Sequence, residues 1–422
     1  MRKRLKGTRT RVLGTGVAAV LVIGLAAASA IGASGSAKAK SLNVGNITAV
    51  TNLGGTFTGF QSGVKAFFSY YNAQGGVGGY HINLTSLDDA GDPGKNASEA
   101  RQLVEQNKVL AIVGEASIAD AGSQKYLQAK GVPVIGGWAA SSTWHRPATN
   151  MFVSLEGPNT PYCPIWSSDQ AKRRGIKSIA FVAQDFPSAI QDAVCRSNAA
   201  KFQGVKMAGS IIKASLTAVD YRTVMQAVMA TGADAVYFST GLDGILKGIQ
   251  AGEQLGFKGT YIATQFGAAL FTGLKSAGLD KAVSGRLISA AFSLLPSDPS
   301  SYSPELKAAK AGIAKYASSY KDDVTAYSGW AAGKLFADAL SAAGPDPKAM
   351  MAWISKQKAY TFGGLQGPFD YSTGSKPNQC LTELQWLNGA VTRDVKTATP
   401  PQFNCGPLIA YTSNKVLVRA PA

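Results

Sequence analysis

Three aspartates, Asp88, Asp89 and Asp92, stand just after a glycine-rich run, Gly75, Gly76, Gly78 and Gly79. Such a set suits a phosphate cradle, a cation site or an acid pair for proton transfer. The order of elements speaks against the first. A phosphate loop follows a strand and opens a helix, whereas this run follows a helical pattern and precedes a strand, and its spacing is not G-x-G-x-x-G. It reads as a turn, with Gly75 at a helix C-cap. Asp92-Pro93 reads as a helix start, with an acid at the positive helix end. Capping and solvation then account for the carboxylates. The two histidines, His81 and His145, do not make a zinc pattern, and no G-x-S-x-G elbow surrounds a serine. The residues therefore predict no catalytic centre, no cofactor and no metal.

Four cysteines, Cys163, Cys195, Cys380 and Cys405, predict two disulfides in an exported chain. Three connectivities are open. The sequence-adjacent pairs, 163 with 195 and 380 with 405, would close loops of roughly 30 and 25 residues, each worth about 3 kcal/mol. Export itself is read from the start: basic residues up to Arg11, an uncharged stretch from Val12 to Ala37, and a small-x-small site at Ala37–Ala39. This predicts a signal peptide over 1–39, cleaved near Ala39, and an extracytoplasmic or secreted protein. A retained anchor is the alternative. Of 42 basic residues, seven lie in that segment, which leaves 35 against 25 acids, a net +10. The basic residues are scattered apart from Lys172-Arg173-Arg174, which predicts no nucleic-acid partner.

With 422 residues and 45% hydrophobic content, the chain needs two cores. Strand patterns at 42–50, 80–89, 109–114 and 132–137 alternate with helices, the first with Phe60, Val64, Phe67, Phe68 and Tyr71 on one face. After Pro164 the rhythm restarts with "SIAFVAQ", and runs through "ADAVYFST" and "GTYIATQ" to "RLISAAF". Two such blocks predict two doubly wound α/β lobes with parallel central sheets. Three helices near 304–320, 325–343 and 346–357 follow without a strand between them. "LTELQWLNGAVTRDV" reads as a hairpin turning at Asn388-Gly389.

The run "NAQGGVGGYHINLTSLDDAGDPGKNASEARQLVEQNKVLAIVGEAS" resembles the first lobe of the branched-chain amino-acid-binding protein family, type I solute-binding proteins of ABC importers. The shared features are a helix ending in N-x-x-G-G-V-x-G, a strand ending in acids, a proline-led helix start and a VxAIxGxxS strand and loop. "GVPVIGG", "DYRTVMQAVMATGADAVYFS" and "GLQGPFDYSTG" extend the resemblance over roughly 42–390. It implies a periplasmic-binding-protein-like type I clamshell whose lobes are joined by a three-strand hinge, with crossings near 153–160, 292–300 and 360–368. The N-terminal lobe would comprise 40–155 plus 293–362, and the C-terminal lobe 156–292 plus 363–422.

The resemblance also implies a ligand site between the lobes. In the first lobe it places Glu115, Ala116 and Ser117 there, Ser117 for a ligand carboxylate, followed by Trp138, Ala139, Ala140 and Ser141. Ser141 or Ser142 would replace the hydroxyl that Ala140 lacks. The loop with Thr51, Asn52 and Thr56 adds to that wall. In the second lobe it places Asp185 and Phe186, Leu242 and Asp243, and Gln265 and Phe266. Gln265 and Phe266 stand where the family often has an acid for an amino-acid ammonium. Asp185, Asp243 or Glu115 would have to supply that charge. Each residue also has a purely structural role open to it: Ser117 a cap, Trp138 core, Phe186 hinge packing. The implied function is a monomeric, non-enzymatic binding protein that hands an amino acid, amide or aromatic-type solute to the permease and ATPase of an ABC transporter. The alternative is a sensory module of the same fold that signals through a partner protein.

Overall fold

The computed structural model describes residues 40–51, 55–139, 144, 150–155, 161–372, 378–394, 403–413 and 415–419. The first block lays down β1 (Lys40–Ile47), α1 (Thr58–Asn72), β2 (Tyr80–Leu87), α2 (Pro93–Arg101), β3 (Ile112–Ser117), α3 (Ala121–Lys130), β4 (Val134–Ala139) and β5 (Met151–Phe152). Its sheet has the order β2-β1-β3-β4-β5 and is parallel throughout. The order reverses direction between β1 and β3, the point at which open parallel sheets present a crevice.

The second block runs through β6 (Tyr162–Pro164), α4 (Trp166–Arg173), β7 (Ser178–Gln184), α5 (Pro187–Phe202), β8 (Lys206–Met207), β9 (Ile212–Ala214), α6 (Arg222–Ala230), β10 (Ala235–Ser239), α7 (Leu242–Leu255), β11 (Thr260–Ala263), α8 (Ala268–Ser276) and β12 (Leu287–Ala291). The chain then forms α9 (Pro304–Tyr316), α10 (Val324–Ala343) and α11 (Pro347–Ile354), and returns as β13 (Cys380–Leu387) and β14 (Ala390–Arg393). The second sheet is ordered β14-β13-β12-β11-β10-β7-β8, with β9 on β7 and β15 (Asn404–Cys405) on β13. Its β13 and β14 run antiparallel to their neighbours. This is the two-lobed mixed α/β architecture the strand rhythm predicts. Asn388 and Gly389 both take positive φ, 52° and 80°, as a tight hairpin of primed type requires.

Helices α9 to α11 belong to the first core, where Leu306, Trp330, Phe336 and Met350 are buried with Phe60 and Phe67. Leu365, Phe369 and Tyr371 pack there too, past the boundary at 362 read from the sequence, because Phe369 meets Phe362 edge-on and stacks on Tyr371. The α1–α10 crossing is held close by reciprocal glycines. A Cβ on Gly63 would lie 1.9 Å from Ala326 O, and one on Gly329 1.9 Å from Phe60 O.

The glycine run is a turn. Gly75 and Gly76 take φ of 103° and 97°, although the helix C-cap is Ala73, two residues before the predicted Gly75. The three aspartates serve turns and caps: Asp88 accepts from Val50 N, Asp89 from Gly91 N, and Asp92 caps α2 through Lys95 N. Arg173 pairs with Asp169 and Glu383, and Arg174 with Asp394, so the two arginines of that basic cluster are tied into the second lobe.

Cys163 is bonded to Cys195 and Cys380 to Cys405, the sequence-adjacent pairing. The tail forms β16 (Leu408–Ala410) and β17 (Val416–Val418), and β16 pairs with β6. Among the described residues no helix is long and apolar enough to cross a membrane, and no group of three or more His, Cys, Asp or Glu could hold a metal.

Candidate functional site

A cavity of about 120 Å³ lies between the C-terminal ends of the two sheets. The first sheet contributes Thr56 and Phe57 from the loop into α1, Ile118 after β3, and Trp138 near the end of β4. The Phe57 and Trp138 rings are 4.9 Å apart and form an aromatic wall. The second sheet contributes Gln184 at the end of β7 and Phe186 after it, Thr240 and Gly241 after β10, and Thr264 to Phe266 after β11. Val324, Thr325 and Ser328, on the first turns of α10, form a third side.

Helix α5 faces the cavity with Ser188, Ala189, Asp192 and Arg196, spaced so as to lie along one stripe. Asp192 and Arg196 are the charged residues among the described lining, and they pair with each other at 3.1 Å. The Tyr237 and Ser239 hydroxyls both donate to Asp192 Oδ2 at 2.9 Å. Arg196 Nη1 donates to Pro164 O at 2.9 Å, and its guanidinium lies 5.0 Å from the Trp166 ring centre. A buried charge pair survives only when its remaining hydrogen-bonding groups are met in this way. Burial, reinforced by Asp192, holds the Tyr237 phenol protonated far above its ordinary range. The Trp166 N–H is buried with no acceptor among the described residues, and Trp166 lines the cavity. A buried donor left unmet is costly.

Of the residues named from sequence, Thr56, Trp138, Phe186, Gln265 and Phe266 line the cavity together. Glu115, Ala116 and Ser117 do not. They belong to β3 and are fully buried. Ser117 Oγ accepts from Ala119 N at 3.0 Å, a turn contact ahead of α3 and not its cap, since the N-cap of α3 is Asp120. Glu115 turns into the first lobe, where its Oε1 accepts from Asn96 and Ser123. Burial, then the nearby Asp120, pushes its carboxyl up to about 8. Asp185 and Asp243 are half exposed and pair with Lys213 and Lys247. Leu242 is buried in the second core. Ala139 ends β4 opposite Ser117, while Ala140 and Ser141, with Asn52 and Ser142, lie outside the described residues. The sequence reading did not single out Trp166, Asp192, Arg196, Tyr237 or Thr325. The one available signal was the acid–base pair at i and i+4 on α5, which also decorates ordinary solvated helix faces.

Residues 41–390 match the family model of the periplasmic binding proteins, so β15 to β17 lie beyond the matched region. A leucine-binding protein from Thermotoga maritima is 17% identical, with 84% of this chain and 98% of that chain covered and a TM-score of 0.67. An ABC-transporter solute-binding protein from R. palustris, solved with 4-hydroxybenzoate, is 19% identical over 84% and 96% of the two chains, with a TM-score of 0.69. A fatty-acid ABC-transporter substrate-binding protein from Thermomonospora curvata is 15% identical over 90% and 92%, with a TM-score of 0.70. At these identities the likeness is one of fold. No curated protein matches the chain.

Proposed function

The chain belongs to the periplasmic binding protein family, and we propose that it captures a small organic solute outside the cytoplasm and delivers it to an ABC importer. The observation that carries this reading is the cavity, enclosed by strand ends from both sheets and lined by Phe57, Trp138, Phe186 and Phe266 beside a few polar groups. Such a surface buries a ring or a branched chain and orients it by hydrogen bonds. An amide or an aromatic-type compound fits that chemistry better than an amino acid does. An ammonium finds little support. The carboxylate in the lining, Asp192, already accepts from Arg196, Tyr237 and Ser239, and an unpaired buried charge is costly. Relatives of this fold bear names for leucine, 4-hydroxybenzoate and fatty acids, which supports the solute class without choosing within it.

The test is a thermal-shift screen of the purified protein against amino acids, aliphatic and aromatic amides, aromatic carboxylates and short fatty acids, followed by calorimetry on each hit. The expected result is one-to-one binding without turnover, weakened at least tenfold by Trp138→Ala or Phe186→Ala. Removing an aromatic contact of this size costs more than about 1.4 kcal/mol, which corresponds to that factor. Unchanged affinity in both variants, or chemical conversion of the hit, would overturn the proposal.

A further inference from the structure

None of the second-lobe helices α4 to α8 carries a side-chain hydrogen bond from its N-cap residue, and two of them, α7 and α8, begin from glycine. The N-cap of α7 is Gly241 and that of α8 is Gly267, and neither carries a side chain to meet the first amides. At Gly267 a Cβ would lie 2.8 Å from Leu242 Cδ1, so a side chain there would require that leucine to shift. Both helix starts are instead met from the other lobe. Leu242 N donates to Thr56 Oγ1 at 3.2 Å, and Ala268 N donates to Asp323 Oδ2 at 2.8 Å.

Thr56 sits in the loop between β1 and α1. Asp323 is the N-cap of α10, where its Oδ1 also accepts from Thr325 N at 2.9 Å and Thr325 Oγ1 at 2.7 Å. One carboxylate thus serves a helix start in each lobe, and it is 3% exposed. Gly59, in the first turn of α1, lets it come this close, for a Cβ there would lie 2.6 Å from Asp323 Oδ2. The next residue, Val324, is buried in the second-lobe core beside Leu242, Phe266 and Leu270. Both contacts adjoin the cavity, whose lining includes Thr56, Gly241, Phe266, Val324 and Thr325.

We propose that Thr56 and Asp323 are positioning residues that cap the second-lobe helices α7 and α8 across the cleft and thereby hold the two walls of the solute cavity together. When the lobes part, the two helix starts lose their caps to water. When the lobes meet, the caps re-form, and Asp323 brings a negative charge to a positive helix end. Closure is thereby favoured before any solute contact is counted, and a solute has less of the hinge motion left to drive.

The experiment is small-angle scattering on the purified protein without added solute, comparing wild type with Asp323→Asn, Ala268→Pro and Asp346→Asn. Asparagine keeps the cap of α10 and removes the charge. Proline at the first helical position suits a helix and deletes only the donated N–H. The extended Gly267 before it tolerates proline. Asp346 caps α11 within one lobe, through Ala349 N, and is the control. The expected result is a larger radius of gyration for Asp323→Asn and Ala268→Pro. It reflects an open-to-closed ratio raised roughly ten- to a hundredfold, the range for a hydrogen bond to a charged group, with Asp346→Asn unchanged. Circular dichroism confirms folding, and either variant alone decides if the other fails to fold. Unchanged scattering from the folded variants overturns the proposal, as does an equal shift in Asp346→Asn. Solute binding with unchanged scattering would remove the latch and leave capture in the cleft standing.

Discussion

Replacing Glu115 by glutamine should make the protein more stable at alkaline pH and change little at pH 4. Glu115 is wholly buried on β3. Desolvation is the largest cause of its raised pKa, the charge of Asp120 comes next and that of Asp89 adds to it, while hydrogen bonds from Asn96 and Ser123 oppose the shift. The carboxyl moves from 4.5 to about 8. A raised folded pKa means that the native state keeps a proton which the unfolded chain releases. The stability due to this group is therefore fully present below pH 4.5 and is lost as pH rises towards 8. At about 1.4 kcal/mol per pH unit, the loss is roughly 3 kcal/mol by pH 7 and on the order of 5 kcal/mol above pH 8.

Glutamine does not titrate. Its carbonyl can keep the contacts with Asn96 and Ser123. The assay is urea unfolding of wild type and Glu115→Gln between pH 4 and pH 8.5, read as the difference between the two proteins at each pH, so that every other titration cancels. That difference should grow in favour of the variant from pH 5 upward. A flat difference, or one that grows in favour of wild type, would show that Glu115 is ionised and solvated in the native state, and the burial argument would fail.

The other predictions concern packing and crosslinks. Gly63→Ala should destabilise by more than the 1–3 kcal/mol usual for overpacking, because its Cβ would meet backbone at 1.9 Å; a denaturation midpoint within error of wild type would contradict that crossing. Arg174→Ala should cost about 3–5 kcal/mol by leaving the fully buried Asp394 carboxylate without its 2.6 Å partner, measured by urea unfolding at pH 7. Reduction of the two disulfides should cost about 3 kcal/mol each, and thiol counting on the denatured, unreduced protein should find none of the four cysteines free.

Legibility followed locality. The β7 strand, Ser178–Gln184, was readable residue for residue because a buried run of β-formers is bounded by turn residues on both sides. The hairpin at Asn388-Gly389 was readable because positive φ at both turn positions admits few other residues. The end of β3 was not. "VLAIVG" looks finished at a glycine, but Gly114 takes φ of 71° within the strand and the pairing with β4 continues through Ser117. Three residues expected at the cleft are therefore sheet core, and the rim begins at Ile118. Helix α2 likewise gives way after Arg101 to a wider turn over Gln102–Gln106, for which the sequence offers no breaker.

The missed residues share a different cause. Asp192 meets Tyr237 and Ser239 across some 45 positions of chain, and Asp323 meets Ala268 across 55. No window of sequence contains both partners. A trace of the second contact is nevertheless present in one dimension. Helices usually announce their start with Ser, Thr, Asp or Asn, as α2, α9, α10 and α11 do. Helices α7 and α8 start from glycine, which leaves their first amides dependent on something outside the local chain. In a two-lobed protein with both helix starts at the strand ends that face a cleft, the donors that a local cap would have satisfied are left for the opposite lobe. At α7 and α8 Thr56 and Asp323 supply what the glycine N-caps lack.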